Sequence, residues 1–231
     1  MLQPTLSRLR IVRANIELPV VLNALVDALL PRRLHTLDFL VCTSPAPAPL
    51  VRLLRSFTLT HMSFLCTYTD RPMLDEAGAA LVADALSSNT TLQVLELRSA
   101  RLCFNVPAAC VLLRGLVGHP TLRELELGEE DPQGGAGAAV GAALAALVNA
   151  DTPALHTLRL RALLLGTIGL APIMDALPHN HHLRALDIRR TGGSEAFSRN
   201  RMLPAVRANT LLRALQWRAS MWRLPPPEYS R

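Results

Sequence analysis

Between residues 159 and 218, seven of the ten arginines and one of the two aspartates have a placement on or beside the expected strands that suggests recognition chemistry: Arg159, Arg161, Arg184, Asp187, Arg189, Arg190, Arg213 and Arg218. Each guanidinium is a planar, permanently charged fork that can bind a carboxylate or a phosphate through two parallel hydrogen bonds. Just upstream lie Glu96, Glu124, Glu126, Glu129 and Glu130. A basic region beside an acidic one predicts a surface whose basic half meets an acidic patch on another protein while the acidic half fixes its orientation. The plainer alternative is a solvated face that carries charge only for solubility. Nucleic acid is a poorer partner, because acids adjoin the arginines and aromatic residues make up only 4% of the chain, too few to stack bases.

Catalytic, cofactor and metal chemistry find no support in the residue pattern. Ser, His and Asp are scattered with no nucleophile elbow. The run Gly134-Gly135-Ala136-Gly137 lacks the spacing of a phosphate-binding loop. His179-Asn180-His181-His182 offers three imidazoles, but consecutive residues at a turn project in different directions. The acids nearest in sequence, Asp175 and Asp187, fall in the preceding helix and the following strand, so an ordinary polar turn is expected. Cys42, Cys66, Cys103 and Cys110 show neither zinc-ligand spacing nor a disulfide framework, which points to a reducing, cytoplasmic setting. The expected protein is therefore not an enzyme, needs no cofactor and has no membrane-spanning segment.

The elements that position these charges follow from one phrase. Leu92-Gln-Val-Leu95-Glu-Leu97 recurs at Leu122-Arg-Glu-Leu125-Glu-Leu127, Leu155-His-Thr-Leu158-Arg-Leu160, Leu183-Arg-Ala-Leu186-Asp-Ile188 and Leu212-Arg-Ala-Leu215-Gln-Trp217. Looser copies begin at Leu6, Leu34 and Leu54. The alternation at the end of each phrase suits a half-buried strand. Its fifth position, Arg10, Asp38, Thr58, Glu96, Glu126, Arg159, Asp187 and Gln216, is then expected on the polar face. The starts at 6, 34, 54, 92, 122, 155, 183 and 212 average about 29 residues apart, with the second unit contracted and the third extended. Between them the apolar period becomes helical at 19–30, 74–86, 107–117, 136–148 and 170–177. A short helix is expected within 50–55 after Pro45-Ala-Pro-Ala-Pro49. Asn89, Asn180 and Asn209, each three residues before a phrase, are expected to end helices in a left-handed conformation. After Trp217 only 14 residues remain, and Met221 and Trp222 are candidates to cover the last layer.

These residues resemble the leucine-rich repeat of the long, ribonuclease-inhibitor-like class, with units of about 28 to 29 residues. The stretch from Asp75 to Leu92, with Gly78, Leu86 and Asn89 in place, looks like the unit shared by NOD-like receptor repeat domains and some bacterial effectors. The resemblance implies one domain over 1–231. This would be an α/β solenoid of about eight units, parallel strands on a concave face and helices on a convex one, with 219–231 as a tail or cap. It implies a protein-binding module, or a regulatory adaptor for a ubiquitin ligase or a small GTPase. A divergent structural remnant is the third reading. The family's Asn/Cys ladder position, eight residues after the first leucine, departs from pattern in every unit but the second: it holds Ala14, Cys42, Met62, Ala100, Glu130, Leu163, Thr191 and Ser220, of which only Cys42 conforms. Of the 24 basic residues, set against 18 acids for a net charge of +6, all are arginine.

Overall fold

The alternating phrase builds strands, and the helical stretches build the connections between them. The computed structural model describes residues 6–13, 19–29, 33–42, 46–55, 58–66, 74–98, 105–128, 137–217 and 220–223, with 19, 41, 42 and 220–223 through their backbone alone. Eight strands lie parallel in one open sheet: β1 (Arg8–Val12), β2 (Thr36–Cys42), β3 (His61–Cys66), β4 (Val94–Arg98), β5 (Glu124–Gly128), β6 (Thr157–Arg161), β7 (Ala185–Asp187) and β8 (Ala214–Trp217). Each pairs with the next in the chain, so no strand crosses over another. A ninth, β9 (Ser220–Arg223), turns back antiparallel on β8. The sheet edge after the last phrase is therefore covered by the chain's own backbone, where a cover by residues 221 and 222 was expected.

Helices fill the intervals: α1 (Pro19–Leu29), α2 (Pro47–Leu54), α3 (Glu76–Ser87), α4 (Val106–Arg114), α5 (Gly137–Asn149) and α6 (Gly166–Ala176), each packed on the next. Local chemistry sets their starts. Asp75 caps α3 by accepting from the Gly78 amide at 2.7 Å, and Asn105 caps α4 by accepting from Ala108 at 3.2 Å. The seventh interval holds a helical stretch that the sequence reading did not assign. It comprises α7 (Glu195–Phe197), a π-helical turn at Ser198–Met202 and α8 (Leu203–Ala208). The apolar positions of each phrase point to one face: Leu37 and Phe39, Met62 and Phe64, Leu95 and Leu97, Leu125 and Leu127, Leu158 and Leu160 are all buried with the inner residues of the helices in one core. Phe39 stacks on Phe64, ring centroids 4.9 Å apart. Among the described residues no helix is long and apolar enough to cross a membrane.

The third phrase lies five residues later than its sequence reading. Leu54 fits the template but ends α2 and is 1% exposed in the core; the strand phrase is Leu59-Thr-His-Met62-Ser-Phe64, with Asp38 paired to Ser63. The fifth position of that unit is Ser63, replacing Thr58. The starts become 6, 34, 59, 92, 122, 155, 183 and 212, and the contraction and extension inferred around 54 shrink accordingly.

The asparagines also act differently from expectation. Asn180 (φ −91°) and Asn209 (φ −81°) are extended, not left-handed. Their side chains do the turning: Asn180 Oδ1 accepts from the His182 and Leu183 amides while Nδ2 donates to the Val148 carbonyl at 2.8 Å. Asn209 repeats this toward Leu177, and Asn89 toward Leu54. Each asparagine thus satisfies one turn and ties it to the preceding unit. In the turn after β7, Thr191 is fully buried and its hydroxyl donates to the Ile188 carbonyl.

Candidate functional site

Strand register turns the fifth position of the phrase into a single row across the sheet: Arg10, Asp38, Ser63, Glu96, Glu126, Arg159, Asp187 and Gln216 are Cα partners in sequence. Flanking residues of the same strands, two positions away and hence on the same face, extend the row with Arg8, Arg98, Glu124 and Arg161. The charges on this face pair with one another. Arg8 and Arg10 share the Asp38 carboxylate at 3.0 and 3.3 Å. Glu96 accepts from the Ser63 hydroxyl and from Arg98, both at 2.9 Å. Arg159 pairs with Glu124 and lies 3.6 Å from Glu126. Arg161 bridges Glu126 at 3.2 Å and Asp187 at 2.6 Å, and Arg189 closes on Asp187 at 2.7 Å.

Of the residues expected to bind a partner, Glu96, Glu124, Glu126, Arg159, Arg161, Asp187 and Arg189 therefore come together on this face. They do not form separate acidic and basic halves; they interlock. Arg184 and Arg213 lie off the face, in the segments entering β7 and β8. Arg190, at φ 59°, sits exposed in the turn leaving β7. Arg218, Glu129 and Glu130 lie outside the described residues. Asp38, Ser63, Arg8, Arg10 and Arg98 complete the row; the fifth position of the phrase already put Arg10 and Asp38 on the polar face, whereas Arg8, Ser63 and Arg98 were not named there. Their signal was the phase of the repeat itself, since they occupy the same positions in units one to four.

Burial makes the row stiff. Glu126 and Asp187 are each 4% exposed. Burial pushes the Glu126 carboxyl above its usual range; Arg161 opposes the shift and Glu96 adds to it. Burial also works against ionised Asp187, but hydrogen bonds from Arg189 and Arg161 outweigh it and hold that carboxyl below its usual value. The Arg189 guanidinium is raised in turn, chiefly by its hydrogen bonds to Asp187. At the β1 end the row widens into a groove of about 420 Å³ lined by Arg8, Arg10, His61, Ser63, Val94 and Arg98 among others. Arg8 and Arg10 remain 61% and 55% exposed there.

Neither a protein-family model nor a curated protein matches the chain. The row is thus read on its own chemistry. It offers donors and acceptors in fixed positions, among them the Ser63 hydroxyl on the Glu96 carboxylate. The histidine turn behaves as a polar turn with one partner that sequence proximity did not reveal: Asp151, from the preceding unit, accepts from the His181 amide at 2.6 Å and lies 2.9 Å from His181 Nδ1. Burial would raise the Asp151 carboxyl, but those His181 hydrogen bonds and the nearby His182 bring it below its usual value.

Proposed function

We propose that this chain is a non-catalytic protein-binding module of the leucine-rich-repeat kind, a solenoid of eight units with strands lining a concave side and helices a convex one. Support for the repeat comes from eight phrases of one pattern, each leading into a strand that pairs with the next. The binding reading is carried by the row from Arg10 to Gln216. Cross-strand pairs already fix its side chains, so a partner that docks on it costs little further ordering entropy. Polar and charged groups dominate the row, which favours another protein with complementary charge. A buried free thiol at Cys110 suits a reducing cytoplasm.

Affinity capture from source-cell lysate at low and high salt tests this reading. The comparison is with a variant carrying Arg8→Gln and His61→Ala, two exposed groove residues whose loss leaves Arg10 on Asp38. The expected result is a defined protein retained by the wild type, weakened by salt and lost from the variant. Retention of no protein above the bare resin, or equal retention by both chains, contradicts the reading.

A further inference from the structure

We infer that the strand-entry edge of the sheet is a docking ridge for an extended acidic segment of a partner protein, held by Arg123, Arg184 and Arg213 with His156 between them. This inference rests on the protein-binding reading above and adds to the paired face a second contact with its own ligand chemistry.

The ridge is a second row, distinct from the paired face. The residue after the first leucine of each phrase donates its amide to the same residue of the unit before: His35 to Ser7, Thr60 to His35, Gln93 to Thr60, Arg123 to Gln93, His156 to Arg123, Arg184 to His156 and Arg213 to Arg184, all between 2.7 and 2.9 Å. Backbone hydrogen bonds therefore string these eight residues across the entry ends of the strands. None of the eight is an acid, and four consecutive ones are arginine or histidine. Arg123, Arg184 and Arg213 are exposed and His156 half-buried. Among the described residues Arg123 and Arg184 make no ion pair, and the Arg213 side chain reaches only the Thr210 carbonyl, at 2.8 Å. The contrast with the face is sharp: there Arg159, Arg161 and Arg189 are each committed to a carboxylate. Mutual repulsion along the ridge is felt at His156, whose imidazole is lowered first by burial and then by Arg184, Arg123 and His182.

Length and chemistry select the ligand. Neighbouring strands lie about 4.8 Å apart, so the three steps from Arg123 to Arg213 cover roughly 14 Å. An extended peptide advances about 3.3 Å per residue and presents every second side chain to one side, so four or five residues with alternate acids span the ridge. Guanidinium forks suit carboxylates bidentately. A nucleic-acid strand would gain from exposed aromatics on which to stack its bases, yet among the described residues Phe39, Phe64 and Trp217 are buried and Phe197 is half-buried.

The test is fluorescence anisotropy with the whole chain and a fluorescein-labelled eight-residue peptide of alternating Glu and Ser, beside its Gln-Ser counterpart and a single-stranded oligonucleotide of eight residues. Two variants remove equal charge: Arg123→Gln, Arg184→Gln and Arg213→Gln on the ridge, and Arg114→Gln, Arg199→Gln and Arg207→Gln on the helices. The ridge variant should lose roughly tenfold in affinity for the Glu-Ser peptide while the helix variant loses less than about threefold, and the oligonucleotide should bind more weakly than that peptide. On the wild type, the peptide should shield Arg123, Arg184 and Arg213 from phenylglyoxal, a readout that needs no variant to fold. No preference for the Glu-Ser peptide over the Gln-Ser one, equal losses in both variants, tighter binding of the oligonucleotide, or labelling unaffected by peptide would each overturn the inference. Lysate capture that persists while peptide binding fails would sink the ridge and leave the module standing.

Discussion

His119 occupies the turn position that Asn89, Asn180 and Asn209 hold in other units. Its Nδ1 accepts from the Leu122 amide at 3.2 Å and the Thr121 amide at 3.4 Å, which places its proton on Nε2. The side chain is 3% exposed and Nε2 has no partner among the described residues, whereas each asparagine donates to a carbonyl of the preceding unit. A buried donor without an acceptor costs free energy. Burial also lowers the imidazole below its usual 6.5. Above that value folded and unfolded chains are both neutral at this residue. As pH falls below it the unfolded chain takes the proton first, so stability is lost on acidification. His119→Asn is therefore expected to stabilise the protein by about 1 kcal/mol at neutral pH, with an advantage over wild type that grows between roughly pH 6.5 and 5. Urea unfolding of both chains across that range checks it; a variant that is less stable, or a gap independent of pH, would refute the assignment.

Helix contacts show where the repeat has been tightened. A Cβ on Gly141 of α5 would strike the Gly169 carbonyl oxygen and lie 2.5 Å from the Gly169 Cα of α6. A Cβ on Gly169 would in turn meet the Gly137 carbonyl oxygen at 2.6 Å. Backbone meets backbone there, so no side chain can rotate away to make room. Gly141→Ala is predicted to cost about 1 to 3 kcal/mol despite alanine's better helix propensity, read as a lower denaturation midpoint with an unchanged slope. An alanine variant as stable as wild type would show that the two helices stand further apart. Most of the element order was legible beforehand, because the change of period from two to 3.6 marks strand and helix alike. The stretch at 195–208 escaped it: Pro204 and a π-helical turn interrupt its apolar spacing. The third phrase was misplaced because Leu54 and Leu59 both satisfy a template of three apolar positions, and only pairing with β2 decides between them.

At the scale of the whole molecule the charge pattern was half legible. The repeat frame alone puts Glu96, Glu126, Arg159 and Asp187 on one face. What the sequence order concealed was their pairing, since residues some 30 positions apart become neighbours across strands. Acids and bases that look segregated along the chain are interleaved across the sheet, and Arg123, Arg184 and Arg213, with no ion pair among the described residues, lie at its entry edge. This division between a locked face and an open ridge is the central claim, and a chain without lysine allows a direct measurement of it. Phenylglyoxal labels guanidinium groups, and peptide mass spectrometry can follow each arginine's rate in the free, folded protein. Arg123, Arg184 and Arg213 are expected to label several-fold faster than Arg159, Arg161 and Arg189. Equal rates for the two sets, or faster labelling of the second, would contradict the account.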